Sequence, residues 1–144
     1  MERIIREAVL ADCSAITRLN REEMGYDYPQ EKTFVKLQAC LANPAHRIFV
    51  VEWEGEVVGY LHLEEYDVLY AGHMVNVLGI AVSSAWRRQG VGSALLSAGE
   101  AWARSKGAVA VRLVSGEARK GAHAFYQSLG YTGNKLQRNF KKPL

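Results

Sequence analysis

Two arginines and two glycines fall within six residues, Arg87-Arg88-Gln89-Gly90-Val91-Gly92, and their types and spacing suit the holding of an anion. The glycines let the backbone approach a bulky ligand without side-chain obstruction. An apolar, helix-forming stretch follows directly, so the N–H groups from Gly90 through Ser93 sit at the positive end of a helix dipole. Nearby guanidinium groups add charge-assisted hydrogen bonds. A pyrophosphate fits such a terminus. The competing reading is a solvated turn in which Arg87 and Arg88 face water and the glycines merely open a helix. Two other phosphate motifs are excluded. No Gly-Lys-Ser/Thr is present for a P-loop, and Leu95 stands where a dinucleotide fingerprint needs its third glycine.

A second constellation is Ala122, Phe125, Tyr126 and Leu129, at i, i+3, i+4 and i+7. By spacing alone this is one packed face of a helix. Tyr126 also carries a phenol, which at a pKa of about 10 stays un-ionised at neutral pH and can donate a proton. The four histidines and two cysteines, Cys13 and Cys40, are scattered without the close pairing of zinc sites, so no metal is expected and both cysteines read as buried free thiols.

These groups need a scaffold. Glu2–Ala8 reads as a strand, with Asp12 placed to cap a helix that buries Cys13, Ile16 and Leu19 and ends near Gly25. Gln30–Leu41 forms a second helix with Phe34, Leu37 and Leu41 on its inner face, stopped by Asn43-Pro44. Arg47–Trp53 and Glu56–Glu65 are strands that pair antiparallel across Glu54-Gly55. His73–Val82 is more continuously apolar and is expected at the centre of the sheet. Val91, Leu95, Ala98 and Trp102 mark a helix running to Lys106-Gly107. A strand over Ala108–Val114, a helix ended by Gly130 and a last strand over Tyr131–Phe140 complete the order β-α-α-β-β-β-α-β-α-β. The fold class is therefore α/β (mixed α+β): a central mixed, largely antiparallel twisted sheet flanked by helices, in one domain spanning residues 1–144.

Composition agrees. The chain has 144 residues, 49% hydrophobic and 23% charged, as globular proteins do. Apolar runs such as Met74–Val82 fall short of the roughly 20 residues a membrane helix needs, and Met1–Leu10 carries four charges where a signal peptide is apolar. Cytoplasmic placement with no membrane partner follows as an expectation. A net charge of +3 without a basic tract argues only weakly for a nucleic acid and is met equally well by an anionic small ligand; with no basic run or regular aromatic platform, no nucleic-acid partner is expected.

Arg87-Arg88-Gln89-Gly90-Val91-Gly92, the strand Leu78-Gly79-Ile80-Ala81-Val82 before it, and Ala122-His123-Ala124-Phe125-Tyr126-Gln127-Ser128-Leu129-Gly130-Tyr131 together resemble the GNAT superfamily of N-acetyltransferases across nearly the whole chain. The resemblance implies an acetyl-CoA-dependent transfer to a primary amine by direct attack, with no covalent intermediate and acetyl-CoA as co-substrate. It implies cofactor contacts from Ile80, Ala81 and Val82 on a splayed strand, from the amides and arginines of Arg87–Ser93, and from Phe125. Tyr126 becomes the general acid. Arg119 stands where some members have a cofactor-touching Asn, and would meet a phosphate. Gly79 is consistent with a bulge or with a packing accommodation. Asn76 stands where many members carry the general base, which leaves Glu22, Glu23, Glu64, Glu65, His73 and His123 as candidates. The acceptor is expected over Asp12–Leu41 and the Tyr66–Gly72 loop, where Glu22, Glu23, Asp27, Glu65 and Asp67 suit a cationic small-molecule or peptide amine. A homodimer is compatible with the resemblance alone. The rival reading is a non-catalytic acyl-CoA-binding or sensing module.

Overall fold

The computed structural model describes residues 3–116, 119–133 and 135–144. The chain forms two compact units, Met1–Leu113 and Val114–Leu144. The first runs β1 (Arg3–Glu7), α1 (Cys13–Met24), α2 (Gln30–Leu41), β2 (His46–Trp53), β3 (Glu56–Tyr66), β4 (Met74–Val82), α3 (Val91–Ser105) and β5 (Ala110–Arg112), and the second holds α4 (Lys120–Ser128). No helix among the described residues is long and apolar enough to cross a membrane.

The five strands lie in chain order, β1-β2-β3-β4-β5. The first four are antiparallel and β5 joins β4 in parallel, giving the mixed sheet expected. Glu54 and Gly55 turn β2 into β3 with φ of 54° and 77°. That doubly left-handed turn matches the twist of the strands it joins. Gly25, at φ 75°, ends α1 where the sequence places the stop.

Helices cover both faces of the sheet. Strand alternation sends Tyr60 towards α1 and α2, where it joins Ile16, Leu19, Leu37 and Val50 in a buried cluster. The alternate residues Leu61 and Leu63 are fully buried beside α3, which comes close to the sheet at Gly59 and Gly99. At those two glycines an added Cβ would lie 2.9 Å from Val91 Cγ1 and from Leu61 Cδ2 respectively.

Five expectations change. The middle strand is β3, not β4: the apolar run of β4 reflects its lack of charge rather than its depth, and Leu78 is 47% exposed. Phe34 on α2 is also exposed, and the buried face is set by Thr33 and Leu37. Asp12 does not cap α1 through its side chain. Its carboxylate instead reaches back to accept from Val9 N–H at 2.8 Å and from both Arg6 Nη atoms at 2.8 and 2.9 Å. Strand β5 is three residues long rather than seven, because Val109 and Val114 are exposed and have no face to bury. Finally, no strand forms over the described part of Tyr131–Phe140. Its apolar residues Leu136 and Phe140 are four apart and both exposed, so no period-two face exists to drive pairing. Glu2, expected in β1, and Asn134 lie outside the described residues.

Candidate active site

The site begins where two strands part. Strand β5 pairs β4 only along Met74–Asn76, so among the described residues Val77–Val82 has a strand partner on the β3 side alone. A register shift follows at once. His62 opposes Gly79 and Leu63 opposes Val77, so Leu78 is an extra residue that bulges from the ladder next to Gly79. Ser83 donates its N–H to Val58 O on the β3 side at 2.8 Å. Successive residues of an extended strand direct their polar groups to opposite edges, so Val82 and Ile80 turn theirs to the open edge while Ala81 faces β3.

From Val82 the chain enters a short 3₁₀ turn, Ser84–Trp86, then Arg87-Arg88-Gln89-Gly90 and α3. Gly90 is left-handed at φ 80°, and so is Arg88 at φ 62°. The first helical bond of α3 is Ala94 N–H to Gly90 O at 3.0 Å. The N–H groups of Val91, Gly92 and Ser93 therefore have no partner within the helix and, with the dipole, suit an anion.

The loop is fixed from two sides. Arg3 Nη1 donates to Gln89 O at 3.0 Å, and Arg87 Nη2 to Glu23 Oε1 at 2.9 Å. Glu23 also accepts from Ser84 N–H at 3.0 Å, and its side chain is nearly buried. Trp86 rests on Trp53 with ring centroids 4.6 Å apart. The guanidinium of Arg87 is thus committed to α1, while Arg88 is exposed. The sequence shows both arginines but not this division of labour, because Glu23 is 64 residues away.

The acidic candidates divide in the same manner. Glu65 lies 2.8 Å from His73 and 3.5 Å from Lys106, and Asp67 lies 3.6 Å from the other ring nitrogen of His73. Glu64 lies 3.8 Å from His46, and Glu22 3.9 Å from Arg18. Asn76 accepts from Arg112 at 3.0 Å, a structural contact across β4 and β5. Glu22, Asp27 and Asp67 are the more exposed acids of the expected acceptor region.

In the second unit, Tyr126 is buried and meets Phe125 and Tyr131 at ring-centroid distances of 5.4 and 6.1 Å. Burial raises its pKa, with Arg119 opposing, so the phenol holds its proton above its usual range. His123 contacts Gly116 O at 2.9 Å. Arg119 precedes α4.

One cluster escapes any sequence spacing rule. Cys40, His46 and His62 bring one ligand-type atom each within 4.8 Å of one another. Their intervals match no common metal motif, because one residue ends a helix and the others sit on two different strands. Burial, followed by the neighbouring His46, lowers the His62 pKa to about 4.

The sequence model of the acetyltransferase (GNAT) family matches residues 13–131. The chain belongs to that family. It is 32% identical over 111 residues to an aminoglycoside N(6')-acetyltransferase type 1 of Klebsiella aerogenes, covering 75% of this chain and 73% of that one. It is also 32% identical over 147 residues to an N-alpha-acetyltransferase of Sulfurisphaera tokodaii, covering 94% and 84%. The fold of this GNAT acetyltransferase superposes on that of an aminoglycoside N-acetyltransferase solved with CoA, with a TM-score of 0.88, 17% identity, and 99% and 96% of the two chains covered.

Proposed function

We propose that this GNAT acetyltransferase moves an acetyl group from acetyl-CoA to a primary amine by direct attack of the amine on the thioester. The observation that carries the reading is the succession along one chain segment: an open strand edge at Ile80 and Val82, then, eight residues beyond β4, a helix terminus with three free amides. The terminus takes the pyrophosphate, with Arg88 adding charge. The open edge takes the pantetheine arm by backbone hydrogen bonds, as an added strand would. An N–H of that edge aimed at the thioester oxygen stabilises the oxyanion that forms as the amine attacks, an effect typically worth about 2.7–4 kcal/mol.

Tyr126 then gives its proton to the leaving sulfur. Burial raises its pKa, so Tyr126 enters the step protonated; the raised value also makes it a weaker donor, and the role rests on the Phe125-Tyr126 match to the family rather than on the shift. Arg119 and Phe125 join the cofactor contacts. The relatives named for an aminoglycoside and for N-alpha acetylation both act at amines, and the exposed Glu22, Asp27 and Asp67 suit a cationic acceptor on a small molecule or peptide.

The experiment is a screen of amines for acetyl-CoA-dependent release of free thiol, run on wild type and Tyr126→Phe. The substitution is expected to lower kcat by about 10²–10⁴-fold while leaving CoA affinity within about twofold. An unchanged rate removes Tyr126 as the acid. CoA binding without thiol release for any amine in the panel removes transferase activity in favour of a binding module.

A further inference from the structure

The cluster on the opposite face of the sheet from α3 has a composition that direct attack of an amine on the thioester does not use. Cys40 lies in the last turn of α2, one residue before its end at Leu41. His46 opens β2, and His62 lies in β3. In the antiparallel register Ile48 opposes His62 and His46 opposes Glu64, so the two histidines are diagonal neighbours on one face. Their nitrogens, His46 Nδ1 and His62 Nε2, are 2.9 Å apart. All three residues are half-buried.

The connection holds Cys40 over the strands. Only five residues separate it from His46, and they are pinned by Asn43: its side chain accepts from Ala45 N–H at 3.0 Å and its carbonyl from His46 N–H at 3.0 Å. The placement of the thiol over the imidazoles is therefore a property of a closed turn rather than of a free loop.

We propose that Cys40, His46 and His62 form a binding site for a thiophilic first-row transition metal ion, with Zn²⁺ the expected occupant. The ligand set selects the metal class. One thiolate and two imidazoles favour Zn²⁺, Co²⁺, Ni²⁺ or copper over the oxygen-seeking Mg²⁺ and Ca²⁺. The distances suit it. Tetrahedral Zn²⁺, bonded at about 2.0–2.1 Å to nitrogen and about 2.3 Å to sulfur, needs its ligand atoms roughly 3.3–3.7 Å apart. A separation of 2.9 Å between the nitrogens and a span of 4.8 Å across the set bracket that requirement, so small side-chain rotations bring all three into bonding range.

The surroundings fit as well. With Nδ1 of His46 on the metal, its other nitrogen faces Glu64 Oε2 at 3.8 Å, the carboxylate–histidine arrangement that orients metal-bound imidazoles. Three protein ligands leave the fourth position to water. On binding, the Cys40 thiol loses its proton to solvent, and the hydrogen bond between the two imidazoles is replaced by two nitrogen–metal bonds. The consequence is structural: the ion fastens the end of α2 to β2 and β3, on a face distinct from the α3 terminus.

The test is a Co²⁺ titration of the metal-stripped full chain, followed by absorption. The expected result is one equivalent bound, with tetrahedral bands in the visible, a thiolate-to-cobalt charge-transfer band in the near ultraviolet, and displacement of both by Zn²⁺. Cys40→Ser should abolish the charge-transfer band, and Cys13→Ser should leave it intact. Saturating Zn²⁺ should raise the Tm of wild type by about 5–10 °C and leave Cys40→Ser within about 1 °C. Absence of the bands in wild type overturns the proposal, as does a charge-transfer band that survives Cys40→Ser or is lost in Cys13→Ser. Wild type alone decides the first point, so a poorly folded variant does not rescue the idea.

Discussion

Replacing Gly59 with alanine tests whether the sheet positions the start of α3. A Cβ at this residue lies 2.9 Å from Val91 Cγ1, 3.1 Å from the Ala81 carbonyl oxygen and 3.3 Å from Leu95 Cδ1. Val91 and Leu95 are fully buried, and Ala81 O belongs to β4, so none of the three retreats freely. Overpacking of this kind costs about 1–3 kcal/mol, against a gain of about 0.5–1 kcal/mol from removing a strand glycine. Because a backbone oxygen is among the obstacles, the upper half of that range applies, for a net loss of about 1–2.5 kcal/mol. In a chain of this size Tm should drop by about 2–8 °C. The strain also has a direction. Val91 is the first residue of α3, so pushing on it tilts one of the free amides, and losing one hydrogen bond to a charged phosphate weakens CoA about tenfold. Thermal melts and calorimetric CoA titrations measure both effects. Gly121→Ala, a helical glycine with nothing within 4 Å of its added carbon, serves as the control and should gain up to about 1 kcal/mol. A Gly59→Ala protein as stable as wild type would refute the packing argument. A destabilised protein with unchanged CoA affinity would refute the link from Gly59 to the terminus.

Two further substitutions follow from particular contacts. Burial works against the Asp12 carboxylate, but the hydrogen bonds from Arg6 and Val9 and the charge of Arg6 outweigh it, leaving the folded pKa below the ordinary value of 3.8. A depressed carboxylate contributes stability above its unfolded pKa and loses it as pH falls through the folded one. Asp12→Asn should therefore cost about 1.5–3 kcal/mol at pH 7, with the difference from wild type shrinking below about pH 4; an equal gap at pH 3 and pH 7 in urea melts would contradict it. Arg88→Gly removes a left-handed residue at φ 62° and an exposed positive charge together. Tm should hold or rise by up to about 3 °C while CoA affinity falls, and a lower Tm would show that the side chain holds the loop.

What the chain reveals of itself depends on range. Local signals were sufficient for the α1 stop at Gly25, the α2 boundaries Gln30–Leu41 and the Glu54-Gly55 hairpin, since each depends on neighbours a few residues apart. Position in the sheet is a different matter. The apolar run of β4 and the mixed composition of β3, with Tyr60 and His62, misrepresent their places because strand order is set by connections, not by hydrophobicity. At the site, the glycines and arginines were visible, but the commitment of Arg87 to Glu23 and the assembly of Cys40 with His46 and His62 needed contacts between distant segments. The Asp12 carboxylate shows the same lesson at short range: an acid before a helix suggests a cap, yet Arg6 on the preceding strand draws it backwards.

Strand order that repeats chain order has a bearing on how the molecule is made. Each new strand finds its neighbour already synthesised, so the four antiparallel strands can grow by accretion while the chain is still emerging. The amides of α3 come after β4 and are delivered onto a finished platform. Only the short parallel pairing of β5 must wait for a crossover, which makes it the natural last step in assembling the sheet.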